Sequence, residues 1–284
     1  MQLKLFLGMN VCRTRAYPEV LRVMQEGSSF GKRFSTRGKG KFSLGVFSEF
    51  LGQGLATIDD GEEYKGLRTI MNPAFRKTTT DQMVESFVGV ARNTVSMLED
   101  AGDGTVDMQQ VAMAATMDSI GRLHLKSDMG QVDLIRKSGS DAGGGPLDLS
   151  KLLKNITQNG QASLFFFQFG GRTLASLTPA YKDFKRMIGE LDDMTAKIIA
   201  DRKAMGLDGA DDADALGALL RAQEHEEWLT NDLIRDQVVT LFFAGSDTTA
   251  STVAWTLYEM AKQPDMMRRI QAEVDGAAGR DPKD

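Results

Sequence analysis

Polar side chains interrupt an apolar segment at residues 241–250, which read Leu-Phe-Phe-Ala-Gly-Ser-Asp-Thr-Thr-Ala. Thr248 follows Ala244 by four residues, so in a helix its hydroxyl can hydrogen-bond the Ala244 carbonyl in competition with the backbone. Gly245 has no side chain to cover the same place. We expect the helix to widen there and to offer a small polar molecule a binding place against an apolar wall. From these residues alone, a Ser/Thr-rich kink in an ordinary core is an equally good interpretation.

Asp247 is the acid within this segment. It is adjacent to Thr248 in sequence but lies about 100° further around a helix. We therefore expect its carboxylate to face a solvent channel or a basic partner rather than the pocket beside Thr248.

The segment lies within the longest helical pattern of the chain. Thr230 is a candidate N-cap with Asp232 in the first turn, and no residue breaks the pattern before Pro264. About 32 residues could therefore form one helix of about 48 Å. Its flanks are apolar on most sides, which predicts a helix through the middle of a domain. It is too interrupted by polar residues to span a membrane.

Composition limits the class of protein. The chain has 284 residues, 42% of them hydrophobic, which is enough for one large domain or two modest ones. A net charge of −5 argues against nucleic acid as a partner. One cysteine excludes an internal disulfide, and with two separated histidines it cannot form a zinc cluster. The first eleven residues show no targeting segment, and we expect a reducing, intracellular environment.

The rest of the chain also reads as helical. No stretch shows convincing strand alternation, and there is no internal repeat. Basic residues 32–41 and the glycine-rich residues 138–146 are predicted to be loops rather than phosphate sites. The predicted fold is mainly α, with further helices at residues 17–27, 60–73, 80–101, 106–125, 147–156, 179–205, 213–223 and 264–274.

The segment Ala244–Thr249, preceded by Asp236-Gln237-Val238 and followed by Trp255, closely resembles the distal-helix signature of the cytochrome P-450 monooxygenases. A second match is independent of the first. In residues 51–75, an aromatic residue precedes an arginine by four positions, as in the family helix whose two side chains are directed at a haem propionate. The order and separation of the motifs fit the family, and the resemblance covers about residues 17–276.

This resemblance implies a fragment of the P-450 fold, with helices B to J around a long central I helix and the proximal haem half missing. Residues 1–284 would form a single partial domain. The thiolate cysteine of the family lies far downstream of the distal helix, so no metal ligand is assigned in this chain. Cys12 lies at the wrong end, and its surroundings match the cysteine loop poorly.

The resemblance also assigns roles on the central helix. Ala244 and Gly245 would lie over the haem face where oxygen and substrate bind. Thr248 would hydrogen-bond the dioxygen, and Asp247 would help relay protons to it. Thr249 would belong to the same pocket.

On the second motif, Arg68 would pair with a haem propionate through a charge-assisted bond. Tyr64 stands where the family usually has tryptophan, although a phenol can still donate. An ion pair of Arg68 with Glu62 or Glu63 is the alternative. The phenylalanine cluster at residues 165–169 could line a substrate route, touch a membrane or pack within a loop.

The implied function is that of a haem-thiolate monooxygenase, which inserts oxygen into a lipophilic small molecule. Its cofactor would be haem b, with electrons from NADPH through a reductase or ferredoxin, and the truncated chain would be inactive alone. The alternative is a non-catalytic helical binding or regulatory module with the same fold. The enzyme is preferred because Thr248, Asp247 and Arg68 are all present. Contact with the endoplasmic reticulum membrane is expected if an N-terminal anchor has been lost.

Overall fold

The computed structural model describes residues 2–5, 9–12, 47–58, 61–76, 81, 83–138, 149, 151–156, 158–159, 173–207 and 214–278. Several predicted features lie outside these residues. They are the helix at 17–27, the loop at 32–41, the loop at 138–146 except for its first residue, and the phenylalanine cluster at 165–169.

Helices dominate the described residues, and the prediction of a mainly α fold is confirmed. A 3₁₀ turn, Asn72–Phe75, follows the second helix, and residues 149, 151–156 and 158–159 are also helical. The elements are β1 (Gln2–Leu5), β2 (Met9–Cys12), α1 (Phe47–Leu51), α2 (Glu62–Met71), α3 (Val84–Ala101), α4 (Met108–His124), α5 (Gln131–Ser138), α6 (Pro179–Ala204), α7 (Ala215–Gln223), α8 (Asn231–Lys262) and α9 (Pro264–Ala278).

A hairpin at the start of the chain corrects the expectation that there are no strands. β1 and β2 pair antiparallel, with Gln2 opposite Cys12 and Leu5 opposite Met9. Each strand has only four residues, which is too short for alternation to stand out from an apolar run.

The long central helix is confirmed. α8 has 32 residues, and the Thr230 hydroxyl accepts a hydrogen bond from the Leu233 N–H at 3.2 Å as its N-cap. Pro264 begins the next helix, as its fixed backbone geometry favours. These limits are set by residues within or beside the helix, which is why the sequence could predict them.

The sequence pattern predicts no helix at residues 131–138, yet α5 lies there. Two of the N–H groups that begin it, those of Gln131 and Val132, donate to the two carboxylate oxygens of Asp118 on α4, at 2.8 and 3.1 Å. The first-turn donors of a helix have no partner within it, so a carboxylate at this place stabilises the helix. Here it comes from another element, which is why no local cap revealed α5.

Burial along α8 is unequal. Its first half is buried, with Val238 and Phe242 among the fully enclosed side chains. Its second half exposes Trp255 by 65% and Tyr258 by 52%. The prediction of a helix through the middle of a domain is therefore correct for the first half, whereas the second half has one face at the surface.

The first half of α8 joins two hydrophobic clusters. Val239 belongs to one, with side chains of α1, α4 and α6. The other, which we call the α2 cluster, unites α2, α6, α7 and α8. Its buried members include Leu67, Met71, Ile198, Ile199, Leu216, Leu219, Leu220, Ile234, Val238 and Phe242. The α2 helix is thereby fixed against the same core as α8.

A buried ion pair connects α6 to α7. Arg202 Nε donates to Asp214 Oδ2 at 2.8 Å, and Asp214 Oδ1 accepts from the Gly217 N–H at 2.8 Å. The two side chains are only 6% and 0% exposed. Each charge therefore depends on the other for compensation.

We expect Arg202→Met to lower the free energy of unfolding by about 3–5 kcal/mol, because it leaves the Asp214 carboxylate buried without its cation. The matched control is Arg186→Met on the same helix. It removes an exposed i, i+4 pair with Glu190 and should cost about 0.3–0.5 kcal/mol. Chemical denaturation of the variants measures both, and equal losses would contradict the assignment.

Burial raises the pKa of Asp118, and the hydrogen bonds from Gln131 and Val132 only partly oppose this. A raised folded-state pKa means that ionisation costs stability. The stability that this carboxyl contributes is fully present below the pKa of the unfolded state, about 3.9. It is lost as the pH rises from that value through the higher pKa of the folded state. We therefore expect the unfolding free energy of the wild type, relative to Asp118→Asn, to fall across that window in pH-dependent denaturation. A relative rise would show that the hydrogen bonds outweigh burial.

Candidate functional site

Threonine hydroxyls form a row along one face of α8. The Thr248 hydroxyl donates to the Ala244 carbonyl at 2.8 Å, as the sequence predicts. The same bond recurs from Thr252 to Thr248 at 2.9 Å and from Thr256 to Thr252 at 2.8 Å. The Thr248 proton is thus held by the backbone, while its oxygen can still accept a hydrogen bond.

The expected widening of α8 at this point is absent. Residues 241–250 continue as regular α-helix on both sides of Thr248. A carbonyl oxygen has two lone pairs, so Ala244 can accept from the hydroxyl and from the helical N–H together. The threonine therefore need not replace a backbone hydrogen bond.

Four of the predicted site residues are exposed on α8, namely Ala244, Asp247, Thr248 and Thr249. The Asp247 carboxylate makes no hydrogen bond or ion pair with any residue that the structure describes. The helix thus presents a hydroxyl, a free carboxylate and a small alanine side chain close together, a set that can accept, donate or pass protons.

Gly245 has a role that the sequence does not reveal. A Cβ placed on it would lie 2.5 Å from Cδ1 of Ile120 on α4. The missing side chain is therefore used for close approach of α4 to α8, the most extensive helix contact among the described elements. Its bare surface is turned toward Ile120, whereas Ala244 and Thr248 are exposed.

On α2, the structure separates Arg68 from its predicted alternative partners. Arg68 is exposed and forms no ion pair within the described part of the chain. Glu62 pairs instead with Lys65, at 2.8 Å. Tyr64, one turn before Arg68, is half-buried and packs against the α2 cluster. The guanidinium is thus available for an anionic ligand.

The two groups of site residues are connected through a shared core. Leu67 and Met71 on α2 pack in the same cluster as Val238 on α8. Among the described residues, no hydrogen bond or ion pair joins Arg68 to Thr248 or its neighbours. Their relative position is therefore set by packing beneath them.

Polar residues near the start of α8 were not predicted to have a role. The Asp236 carboxylate accepts from the Gln53 N–H at 2.7 Å, and the Gln237 side chain accepts from the Leu55 N–H at 2.9 Å. The available signal was a glutamine next to the apolar run that begins at Val238, because a buried amide needs hydrogen-bond partners.

The cytochrome P450 family model matches residues 16–283. The chain belongs to the cytochrome P450 family. Members of this family bind haem and receive electrons from a redox partner.

Relatives of this P450 chain come from distant organisms. It is 27% identical to cytochrome P450 4F3 of Homo sapiens over 251 residues, 83% of this chain and 46% of the relative. It is also 27% identical to cyclooctat-9-en-7-ol 5-monooxygenase of Streptomyces melanosporofaciens, over 81% of this chain and 47% of the relative. The chain thus spans about half the length of these relatives.

A solved structure shares the fold. The cytochrome P450DA heme domain superposes with a TM-score of 0.72 at 21% identity, covering 96% of this chain and 55% of the other. Within the described helices of our P450 chain, none combines the length and apolarity needed to cross a bilayer.

The residues present fit the cofactor of the family. The exposed guanidinium of Arg68, which pairs with none of the described residues, matches an anionic propionate. Ala244 and Thr248 are exposed together on α8, and the small alanine side chain suits the approach of a flat macrocycle.

The contact of Gly245 with Ile120 gives a test of this helix pair. We expect Gly245→Ala to lower the free energy of unfolding by about 1 kcal/mol, since overpacking of about 1–3 kcal/mol exceeds the gain in helix propensity. In an Ile120→Ala background the same change should stabilise. Gly189→Ala on α6, where no atom lies within 4 Å of the added Cβ, is the control and should gain about 1 kcal/mol. Urea denaturation of Gly245→Ala, Ile120→Ala, the double variant and Gly189→Ala measures these changes. Equal effects of Gly245→Ala in the parent and in the Ile120→Ala background would contradict the contact.

Proposed function

We propose that this P450 chain forms the distal, oxygen-facing side of a haem-thiolate monooxygenase, which inserts oxygen into a lipophilic small molecule. The proposal is supported above all by one observation. Thr248, hydrogen-bonded to the Ala244 carbonyl, shares an exposed stretch of α8 with Asp247, whose carboxylate pairs with none of the described residues, while the first half of the same helix is buried in the core. A rigid helix therefore presents a proton-handling pair at a defined place.

When bound, haem supplies the centre at which dioxygen is activated. Arg68, with Tyr64 beside it, would hold a propionate of the group by a charge-assisted bond. Ala244 would leave room for the group at the exposed face of α8, and Gly245 keeps α4 close behind the helix. We assign haem b, because nothing in these residues calls for covalent attachment.

Thr248 and Asp247 divide the handling of protons. The Thr248 oxygen can accept a hydrogen bond while its own proton stays on the Ala244 carbonyl. Asp247 is exposed and can exchange protons with water. A hydroxyl and an acid linked to water supply protons without opening an apolar pocket to bulk solvent. Thr249 follows in the same pocket.

The substrate class rests on the relatives. The name of the Streptomyces enzyme gives a carbon-rich alcohol, cyclooctat-9-en-7-ol, as its substrate. We propose a lipophilic small molecule for this chain as well. Apolar pockets discriminate weakly between similar ligands, so the class can be proposed without the individual compound. Electrons are proposed to come from NADPH through a reductase or ferredoxin.

We further propose that residues 1–284 are one partial P450 domain, inactive alone, and that the thiolate ligand comes from sequence outside them. Two observations support this. The chain covers 46% of its human relative, and its one cysteine, Cys12, ends β2 of the terminal hairpin.

The test uses the full-length protein encoded by the source transcript. After reduction and addition of carbon monoxide it should show thiolate-type absorbance, and Thr248→Ala should keep that absorbance. In the variant, the amount of product formed per NADPH consumed should fall about 100-fold, because general acid–base groups contribute factors of this order. Hydrogen peroxide should form instead of product, and assays of peroxide and of product measure both changes.

Thr256→Ala is the matched control, since Thr256 makes the same bond to the carbonyl four residues before it, at 2.8 Å. It should leave the yield per NADPH unchanged. Unchanged coupling in Thr248→Ala would remove Thr248 from the mechanism. A full-length protein that binds lipophilic ligands but never shows the thiolate absorbance would support the non-catalytic binding module instead.

A further inference from the structure

The loop that follows α1 is fastened to the start of α8 by three consecutive residues. Arg235 Nη1 donates to the Phe50 carbonyl at 2.7 Å. Asp236 accepts from the Gln53 N–H at 2.7 Å. Gln237 accepts from the Leu55 N–H at 2.9 Å and donates to the Gln53 carbonyl at 3.1 Å. The backbone of this segment is thus hydrogen-bonded to the side chains of three successive residues of the helix.

Two glycines bring the loop directly onto the helix. Gly52 has φ +57°, and a Cβ on it would lie 2.0 Å from the Asp236 carboxylate. A Cβ on Gly54 would lie 1.8 Å from Oγ1 of Thr240. The Thr57 hydroxyl closes the loop by donating to the Gly52 carbonyl at 2.7 Å. A larger residue at either glycine would require the loop or the Asp236 and Thr240 side chains to move.

Gln237 differs from its two neighbours in burial. Its side chain is fully enclosed, and its amide also donates to the Leu233 carbonyl, at 3.1 Å. Arg235 and Asp236 retain 16% and 14% exposure of their side chains and pair with each other. Water can partly replace their bonds, whereas water has no access to the enclosed Gln237 amide and cannot replace the hydrogen bonds that it makes.

The loop leads within a few residues into α2, which carries Tyr64 and Arg68. The remaining support of α2 is the α2 cluster and the ring of Trp228, which lies 2.8 Å from a Cβ placed on Gly66. Gln237 stands about three turns before Thr248 on the same helix. We propose that Gln237 is a positioning residue, which sets the place of α2, and so of Arg68, relative to the Thr248 face. The functional importance of this positioning rests on the proposed function.

The test needs neither haem nor turnover, so its failure is distinguishable from failure of the proposed function. The chain has two tryptophans, and Trp255→Phe leaves Trp228 as the only reporter of α2. In that background, Gln237→Leu should make the Leu55 amide exchange about tenfold faster, because the side-chain oxygen that accepts its hydrogen bond is lost. It should also make Trp228 more accessible to acrylamide. Gln263→Leu, at an exposed glutamine ending α8, should change neither.

Gln237→Glu distinguishes hydrogen bonding from packing and serves if Gln237→Leu does not fold. At neutral pH its carboxylate accepts from Leu55 but cannot donate to the Gln53 carbonyl. The ordinary glutamate pKa is about 4.3, and burial raises it. As the pH falls through the raised pKa, the acid becomes protonated and can donate to the Gln53 carbonyl again. Amide protection and Trp228 shielding should then return toward the parent values.

Other charged groups around position 237 are Arg235 and Asp236 on α8 and Asp192 on α6, which pairs with Arg235. They are shared with the parent and with Gln237→Leu, so the pH-dependent recovery belongs to the introduced acid. Faster amide exchange with unchanged Trp228 accessibility would show that Gln237 holds only the loop, and would overturn the proposal. A Gln237→Glu variant without any recovery at low pH would overturn it too.

Discussion

The first half of α8 is enclosed by other elements, and burying a polar group there costs free energy unless the group is hydrogen-bonded within the protein. Gln237 meets this constraint by binding the backbone of the loop after α1, and that loop continues into the helix that carries Arg68. The same half packs against α2, α6 and α7 through the α2 cluster. One buried helix segment thus locates the loop, the helix that carries Arg68 and, further along, the exposed threonines.

Local relations were predictable and distant ones were not. The bond from Thr248 to Ala244 and the cap at Thr230 span three or four residues, so the sequence specified them. Asp118 reaches α5 across a loop, and Gln237 reaches residues far earlier in the chain, so neither could be inferred from spacing. Family membership, which two separated motifs indicated, is confirmed by the match over residues 16–283.

Gly245 belongs to the predicted motif and also allows close packing of two helices. The sequence supports only the inference that a missing side chain leaves a bare surface on the helix. Which neighbour uses that surface depends on where α4 crosses α8, and the structure places Ile120 there. The exposed side of the motif consequently consists of Ala244, Asp247, Thr248 and Thr249, with the glycine acting from behind.

The row of threonines makes the exposed face of α8 a surface of hydrogen-bond acceptors. Thr248, Thr252 and Thr256 each direct their proton inward to the carbonyl four residues before. Outward they present only oxygen lone pairs. A molecule that hydrogen-bonds to these hydroxyls must therefore donate a hydrogen to them. The exposed face of α8 thus offers a row of acceptors along about two turns of helix, which favours ligands and solvent that bring donors.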